Sequence, residues 1–210
     1  MTGQAKGFRV ELTINAGRDA VWPAITVPEQ IRQWFGWEHD GIDAEIRHIF
    51  VDRAELDPPE GMVFEDGSEL ELASDGPRTV VRLVREDPTT GRELEFDAIE
   101  EGWRAFLEQL RFLLETHPQG LRRTVYLSGP AAGGHAAALA GAGAQVWHDS
   151  RYLHMAVDSA GHLVAVASEA PLGGDGVAHT AVTVTTYGLD DAAFATVRDE
   201  WTARWAQASS

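Results

Sequence analysis

The sequence predicts an α+β protein in which antiparallel sheet is covered by long helices, and two stretches carry that expectation. Along residues 97–114, Ile99, Trp103, Phe106, Leu107, Leu110, Leu113 and Leu114 fall on one stripe at helical period. Near the C-terminus, Asp199-Glu200-Trp201-Thr202-Ala203-Arg204-Trp205 echoes Glu100-Glu101-Gly102-Trp103 at the end of a second helix. Each helix follows a run of short alternating segments. The chain therefore reads as a tandem of strands-then-helix units, residues 1–120 and a second, shortened unit or sheet extension at 121–210.

Strand one comes first: Phe8, Val10, Leu12 and Ile14 alternate with Arg9, Glu11 and Thr13, the period of a half-buried strand. A short helix holding Val21, Trp22 and Ile25 follows, limited by Pro23, whose nitrogen has no hydrogen to donate. Pro28 opens a second short helix that ends at Trp34-Phe35-Gly36. The middle reads as a meander, with strands at 45–51, at 62–65 and 69–73 around Asp66-Gly67, at 79–85, and at 92–96 after a turn over 87–91. Asp97 with Glu100 three residues on forms a capping box for the long helix, and His117-Pro118-Gln119-Gly120 stops it. At about 1.5 Å per residue such a helix reaches roughly 30 Å, the width of a sheet.

Beyond Gly120, residues 122–127 read as a strand, and the Gly/Ala-rich stretch 128–143 as a short helix or flexible connector. Three more strands are expected at 152–157, 162–167 and 178–187. The terminal helix begins near Asp190-Asp191, whose carboxylates suit a helix N-terminus, and buries Phe194, Val197, Trp201 and Trp205.

Composition narrows the function. A chain of 210 residues, 44% hydrophobic, fits one large domain or two small ones with a packed core. No apolar run approaches the ~20 residues of a membrane span, and Met-Thr-Gly-Gln-Ala-Lys-Gly lacks the apolar segment of a secretory signal, so a cytoplasmic location is expected. The chain has no cysteine, which excludes disulfides, thiolate nucleophiles and Cys-ligated metal centres. A formal net charge of -16 argues against nucleic acid and anionic membrane surfaces, since affinity for both is carried by Lys and Arg clusters. Most of the acidic excess lies before Gly120 and is expected to form a solvated surface.

Ile14-Asn15-Ala16-Gly17-Arg18-Asp19-Ala20-Val21-Trp22-Pro23-Ala24-Ile25-Thr26, Pro28-Glu29-Gln30-Ile31-Arg32-Gln33-Trp34-Phe35, and Glu101-Gly102-Trp103 with Leu107 and Leu110 together resemble the SRPBCC or START-like superfamily. Within it the likeness is to the bacterial branch related to the activator of heat-shock-protein-90 ATPase, the AHSA type. The resemblance implies a helix-grip fold: an antiparallel sheet curled around a long C-terminal helix, with two short helices after strand one, and a cavity between them. Two departures stand out. Gly17-Arg18 replaces the family's proline turn, and the middle strands look shortened, which implies a smaller cavity. Residues 121–210 carry a weaker likeness through Tyr187-Gly188, Trp201 and Trp205, as a degenerate second copy would.

Trp34, Phe35 and Trp37 follow the second short helix, where the family fold places the mouth of its cavity. With His48, Phe50, Phe64, Trp103, Phe106 and Leu110 they form the expected ligand-binding set. The same residue types also fill cores, where deleting an aromatic costs ~3–5 kcal/mol. His48, beside Phe50 and near Asp52, and His39 beside Asp40 could each pair an imidazole with a carboxylate, but no nucleophile elbow accompanies them, and structural or surface histidines are expected. His135, His148, His154, His162 and His179 lack the spacing of a zinc site, so no metal is expected. The Gly-rich run 129–134 is not followed by Gly-Lys-Ser/Thr, and Lys6 is the only lysine, so no phosphate loop and no cofactor are expected.

These readings converge on a non-enzymatic SRPBCC-type protein that binds a small apolar molecule in a helix-grip cavity. Two alternatives differ from it in kind. One is a protein-interaction module acting on a chaperone or regulator, and the other a polyketide cyclase-like or hydrolase-like enzyme using His48, Asp52 or an acidic cavity residue as general base. No motif sets the oligomeric state.

Overall fold

A computed structural model describes residues 7–86, 96–132, 138–139, 145–174 and 176–209. The chain divides into two compact units, one of residues 1–36, 40–95 and 102–117, the other of 37–39, 96–101 and 118–210.

The first unit is built on a five-stranded antiparallel sheet of order β1-β5-β4-β3-β2. Its strands are β1 (Phe8–Ile14), β2 (Glu55–Asp57), β3 (Gly61–Val63), β4 (Glu69–Asp75) and β5 (Arg78–Arg85). Alternation decides which side chains face inward: Val10 and Ile14, Leu70 and Leu72, Val81 and Leu83 are buried on one face. The outer face carries Glu11, Glu71 and Arg82, in direct register across β1, β4 and β5. Leu107 and Leu110 of the long helix join the inner residues in one hydrophobic core. The unit is thus a sheet gripping a helix, the arrangement expected.

Two short helices follow β1, α1 (Arg18–Thr26) and α2 (Pro28–Ile31). Pro23 does not limit α1. The helix runs through it to Thr26, and Val27 donates to the Pro23 carbonyl at 2.9 Å. The strand expected at 45–51 is absent; those residues belong to α3 (Ile42–Arg47) and to a π-helical turn at His48–Asp52. The reason is periodic. Ile42, Ile46 and Phe50 recur every four residues and are all buried, a helical spacing that outweighs the local alternation.

The long helix, α4 (Ala98–Thr116), is capped as expected: the Asp97 carboxylate accepts from the backbone nitrogens of Ile99 and Glu100 at 2.9 and 3.0 Å. Its stripe starts later than the sequence suggested, since Ile99 is exposed while Leu107 and Leu110 are fully buried. The strand expected at 92–96 falls on residues 92–95, outside the described residues, and on Phe96, which is not in a strand.

The second unit is built on its own five-stranded sheet, of order β6-β10-β9-β8-β7. Its strands are β6 (Arg122–Ala132), β7 (Gln145–Asp149), β8 (Leu153–Val157), β9 (Leu163–Ser168) and β10 (Val177–Tyr187), all antiparallel. The terminal helix, α5 (Asp191–Ala208), is capped by the Asp190 carboxylate, which accepts from the Ala193 nitrogen at 2.8 Å. Phe194 and Trp201, with Val197 and Trp205 beside them, pack on Val125, Val164, Val166, Val182 and Val184. Of the Gly/Ala-rich stretch 128–143 expected as helix or connector, 128–132 extends β6, 138–139 are helical, and 133–137 and 140–143 lie outside the described residues. Where β6 begins and β10 ends, Gly120 and Gly188 both have positive φ and approach so closely that a Cβ on Gly120 would stand 2.5 Å from the Gly188 Cα.

Candidate functional site

The inner face of the first unit is occupied by aromatic rings delivered from separate elements. Trp34 and Phe35 leave the turn after α2, where Trp34 and Phe35 both donate backbone hydrogens to Ile31. Phe50 comes from the π-helical turn, Phe64 from the end of β3, and Trp103 and Phe106 from α4. Phe35 is the hub. Its ring centroid lies 5.8 Å from Trp34, 5.0 Å from Phe50, 6.0 Å from Trp103 and 4.9 Å from Phe106, at the edge-on or tilted angles that aromatic quadrupoles favour.

Burial sorts these rings. Trp34 is 0% exposed, and its Nε1 donates to the Ala24 carbonyl at 2.8 Å, so its polar edge is satisfied inside the protein. Phe35, Phe50 and Leu110 are likewise buried. Trp103 and Phe106 are only partly buried. Most of the expected ligand set is therefore packed against itself.

One part of the cluster reaches the surface. A recess of about 280 Å³ has Phe64, Trp103 and Ile49 as its apolar wall and His48, Arg53, Glu65 and Asp66 around them. The charges on this rim are mutually engaged. Arg53 Nη1 donates to Glu65 Oε1 at 3.0 Å, and His48 Nε2 lies 3.8 Å from Glu65 Oε2. Asp66 accepts from the Ser68 nitrogen at 3.0 Å and from Arg85 Nη1 at 2.9 Å, the latter a buried guanidinium that also lies over the Phe8 ring at 4.9 Å. Partial burial works to raise the Asp66 carboxyl, but the Ser68 and Arg85 hydrogen bonds outweigh it and hold the group below its ordinary value.

His48 and Trp37 are placed differently from expectation. His48 sits on the π-helical turn, not in a strand, and its side chain is 58% exposed at the recess rim. Trp37 is grouped with the second unit, where it stacks on Tyr126 with centroids 4.2 Å apart and planes 9° from parallel. Ile49, Arg53, Glu65 and Asp66 were not singled out from sequence. The Asp66-Gly67 turn was visible there, but the recess requires the π-helical turn opposite it.

Among the described residues, no group of three or more His, Cys, Asp and Glu side chains is placed to hold a metal ion. No helix among them is long and apolar enough to cross a membrane.

No protein-family model and no curated protein matches the chain. Solved structures similar to it include DynU16, a protein in the dynemicin biosynthetic locus, at 18% identity over 96% of both chains with a TM-score of 0.40. The Aha1 dimer from Colwellia psychrerythraea covers 53% of this chain and 97% of its own at 16% identity and a TM-score of 0.37. The di-domain ARO/CYC StfQ from the steffimycin biosynthetic pathway is 13% identical over 86% of this chain and 85% of its own, with a TM-score of 0.36. At such scores the α+β helix-grip class rests on the strand order and helix packing above, not on the overlays.

Proposed function

We propose that the protein binds a small, mainly apolar aromatic molecule in the recess walled by Phe64 and Trp103 without transforming it, and does so as a cytoplasmic protein. The observation that carries this reading is the exposed end of the ring cluster. Aromatic wall at the surface of a recess offers stacking and apolar burial to a flat ligand. Ligand pockets usually enclose roughly 300–1,000 Å³. At about 280 Å³ the recess stands at the small end, which favours a ligand of about two fused rings. Residues 1–120 and 121–210 are read with this as a helix-grip domain and a shortened second unit of related design.

Naphthalene titration followed by its own fluorescence tests the reading. The native protein is expected to bind with a Kd in the range of about 1 µM to 1 mM, as for a ligand of that size. Phe64→Ala is expected to weaken binding. Absence of saturable binding to the folded protein would refute it.

A second reading, general-base catalysis, is favoured by one specific observation, the His48–Glu65 pair at the recess rim. Its test is turnover of an ester or polyketide-like substrate. Loss of that turnover in His48→Ala, with the fold retained, would replace binding by catalysis.

A further inference from the structure

We infer that Trp103 is a partition that sets the upper size limit of the ligand, dividing the open recess from a larger space that the remaining rings fill. The inference rests on the binding reading above and adds the residue that decides which ligands fit. Trp103 lines the recess. Its indole also meets the rings of Phe35 at 6.0 Å, Phe50 at 6.3 Å, Phe64 at 5.3 Å and Phe106 at 6.1 Å. Phe64 shares both memberships but is 6% exposed and is held between Phe50 and Trp103. Trp103 is the partly exposed ring of the two, and so the one with room on one side.

What lies behind the indole is apolar. Phe35 and Phe50 are nearly inaccessible, and Leu107 and Leu110 of the same helix are fully buried. Space opened there would stay dry: an apolar cavity of about 150 Å³ excludes water and takes up a benzene-sized guest. Added to a recess of about 280 Å³, even the smaller volume freed by shortening the indole moves the site from the lower edge of ordinary ligand pockets into their range. With the indole in place, a two-ring hydrocarbon has the whole site. A four-ring one has no path past it.

Naphthalene and pyrene, both fluorescent, are titrated separately into the full chain, into Trp103→Leu, and into Trp201→Leu, which removes an indole from the core of the other unit. The pyrene-to-naphthalene affinity ratio is expected to rise by about tenfold or more in Trp103→Leu and to stay at the native value in Trp201→Leu. A ratio that does not move in Trp103→Leu, or that moves equally in Trp201→Leu, overturns the inference. Should Trp103→Leu lose its cooperative melt, Trp103→Phe keeps a smaller ring in place; a rise of about threefold is then expected, and a flat ratio overturns it. Failure of the binding reading looks different. If the native protein takes up neither hydrocarbon, that reading fails, and the partition is judged by whether Trp103→Leu gains pyrene binding that Trp201→Leu lacks.

Discussion

Phe64 and Trp103 stand with ring centroids 5.3 Å apart and planes tilted by 33°, and the pair belongs at once to the wall of a surface recess and to a buried ring cluster. One contact thus ties the turn between β3 and β4 to the gripped helix. Any ligand in the recess rests on side chains whose other neighbours are core, so ligand affinity and stability of the first unit are coupled through the same rings.

Trp34 and Trp103 separate core from wall in a stability measurement. Trp34→Ala removes a wholly buried indole and strands the Ala24 carbonyl that it bonds, and is expected to cost ~3–5 kcal/mol. Trp103→Ala, at a partly exposed position, is expected to cost less. Urea melts decide between them. A larger loss at Trp103 would mean that its ring is the one holding the cluster closed.

Gly188 has φ +68°, and a Cβ added there would lie 2.7 Å from the Gln119 carbonyl oxygen. Backbone cannot give way as a flexible side chain would. Gly188→Ala is therefore expected to destabilise by about 2 kcal/mol or more, read from denaturant midpoints, whereas Gly67→Ala, strained in φ but open to space, is expected to cost only the conformational penalty of about 1–2 kcal/mol.

Asp66 links stability to acid. Its folded-state carboxyl is held below the ordinary value, so its contribution is fully present above the unfolded-state value of about 4 and is lost as pH falls through the folded one. The native protein is expected to exceed Asp66→Asn in stability at pH 7 and to converge with it in acid, as the folded-state carboxyl takes up its proton. A gap that stays constant down to the lowest pH would show that Asp66 acts through its shape and not its charge.

Tyr187 links stability to base. Burial pushes its phenol up to about 12, against a smaller opposing pull from the Arg122 cation across the strand pair. The neutral phenol is the form the fold holds. Its contribution is complete below about pH 10 and is lost between about pH 10 and 12, on the order of 2–3 kcal/mol in all. Tyr187→Phe is expected to lose that slope in alkaline melts, while an unaltered slope would assign it to other groups.

The parts of this fold legible in the sequence are those with a clean period. β1 and β5 alternate along their full length, and α4 carries an apolar stripe behind an acidic cap, so their place and buried faces follow from spacing; α5 has the acidic cap but only isolated large apolar residues, of which Phe194 and Trp201 are buried. β2 was invisible because Glu55, Leu56 and Asp57 are all exposed and show no pattern. β7 was missed because a register shift between Val146 and His148 breaks its alternation. Residues 45–51 misled because an alternating segment was nested in the longer Ile42, Ile46, Phe50 period.

The site was half legible for the same reason. Trp34, Phe35, Phe50, Phe64, Trp103 and Phe106 share aromatic character and pack into one cluster, while Trp37, their neighbour in sequence, stacks on Tyr126. Of the rim, His48 and the Asp66-Gly67 turn are legible, but the Arg85–Asp66 contact is not. Arg85 and Asp66 are brought together by strand pairing, and nothing in the chain between them announces the contact.

On the outer face of the first sheet, Arg82 is flanked across the strands by Glu11 at 2.7 Å and Glu71 at 2.9 Å, and Arg9 closes on the far side of Glu11 at 2.7 Å. Two cations and two anions alternate along this band, so it is electrically neutral although the chain carries a formal charge of -16. The acidic surplus is therefore concentrated elsewhere. A cationic molecule drifting in from solution therefore gains no net long-range attraction from this band, and added salt both loosens the band and screens the pull of the remaining carboxylates.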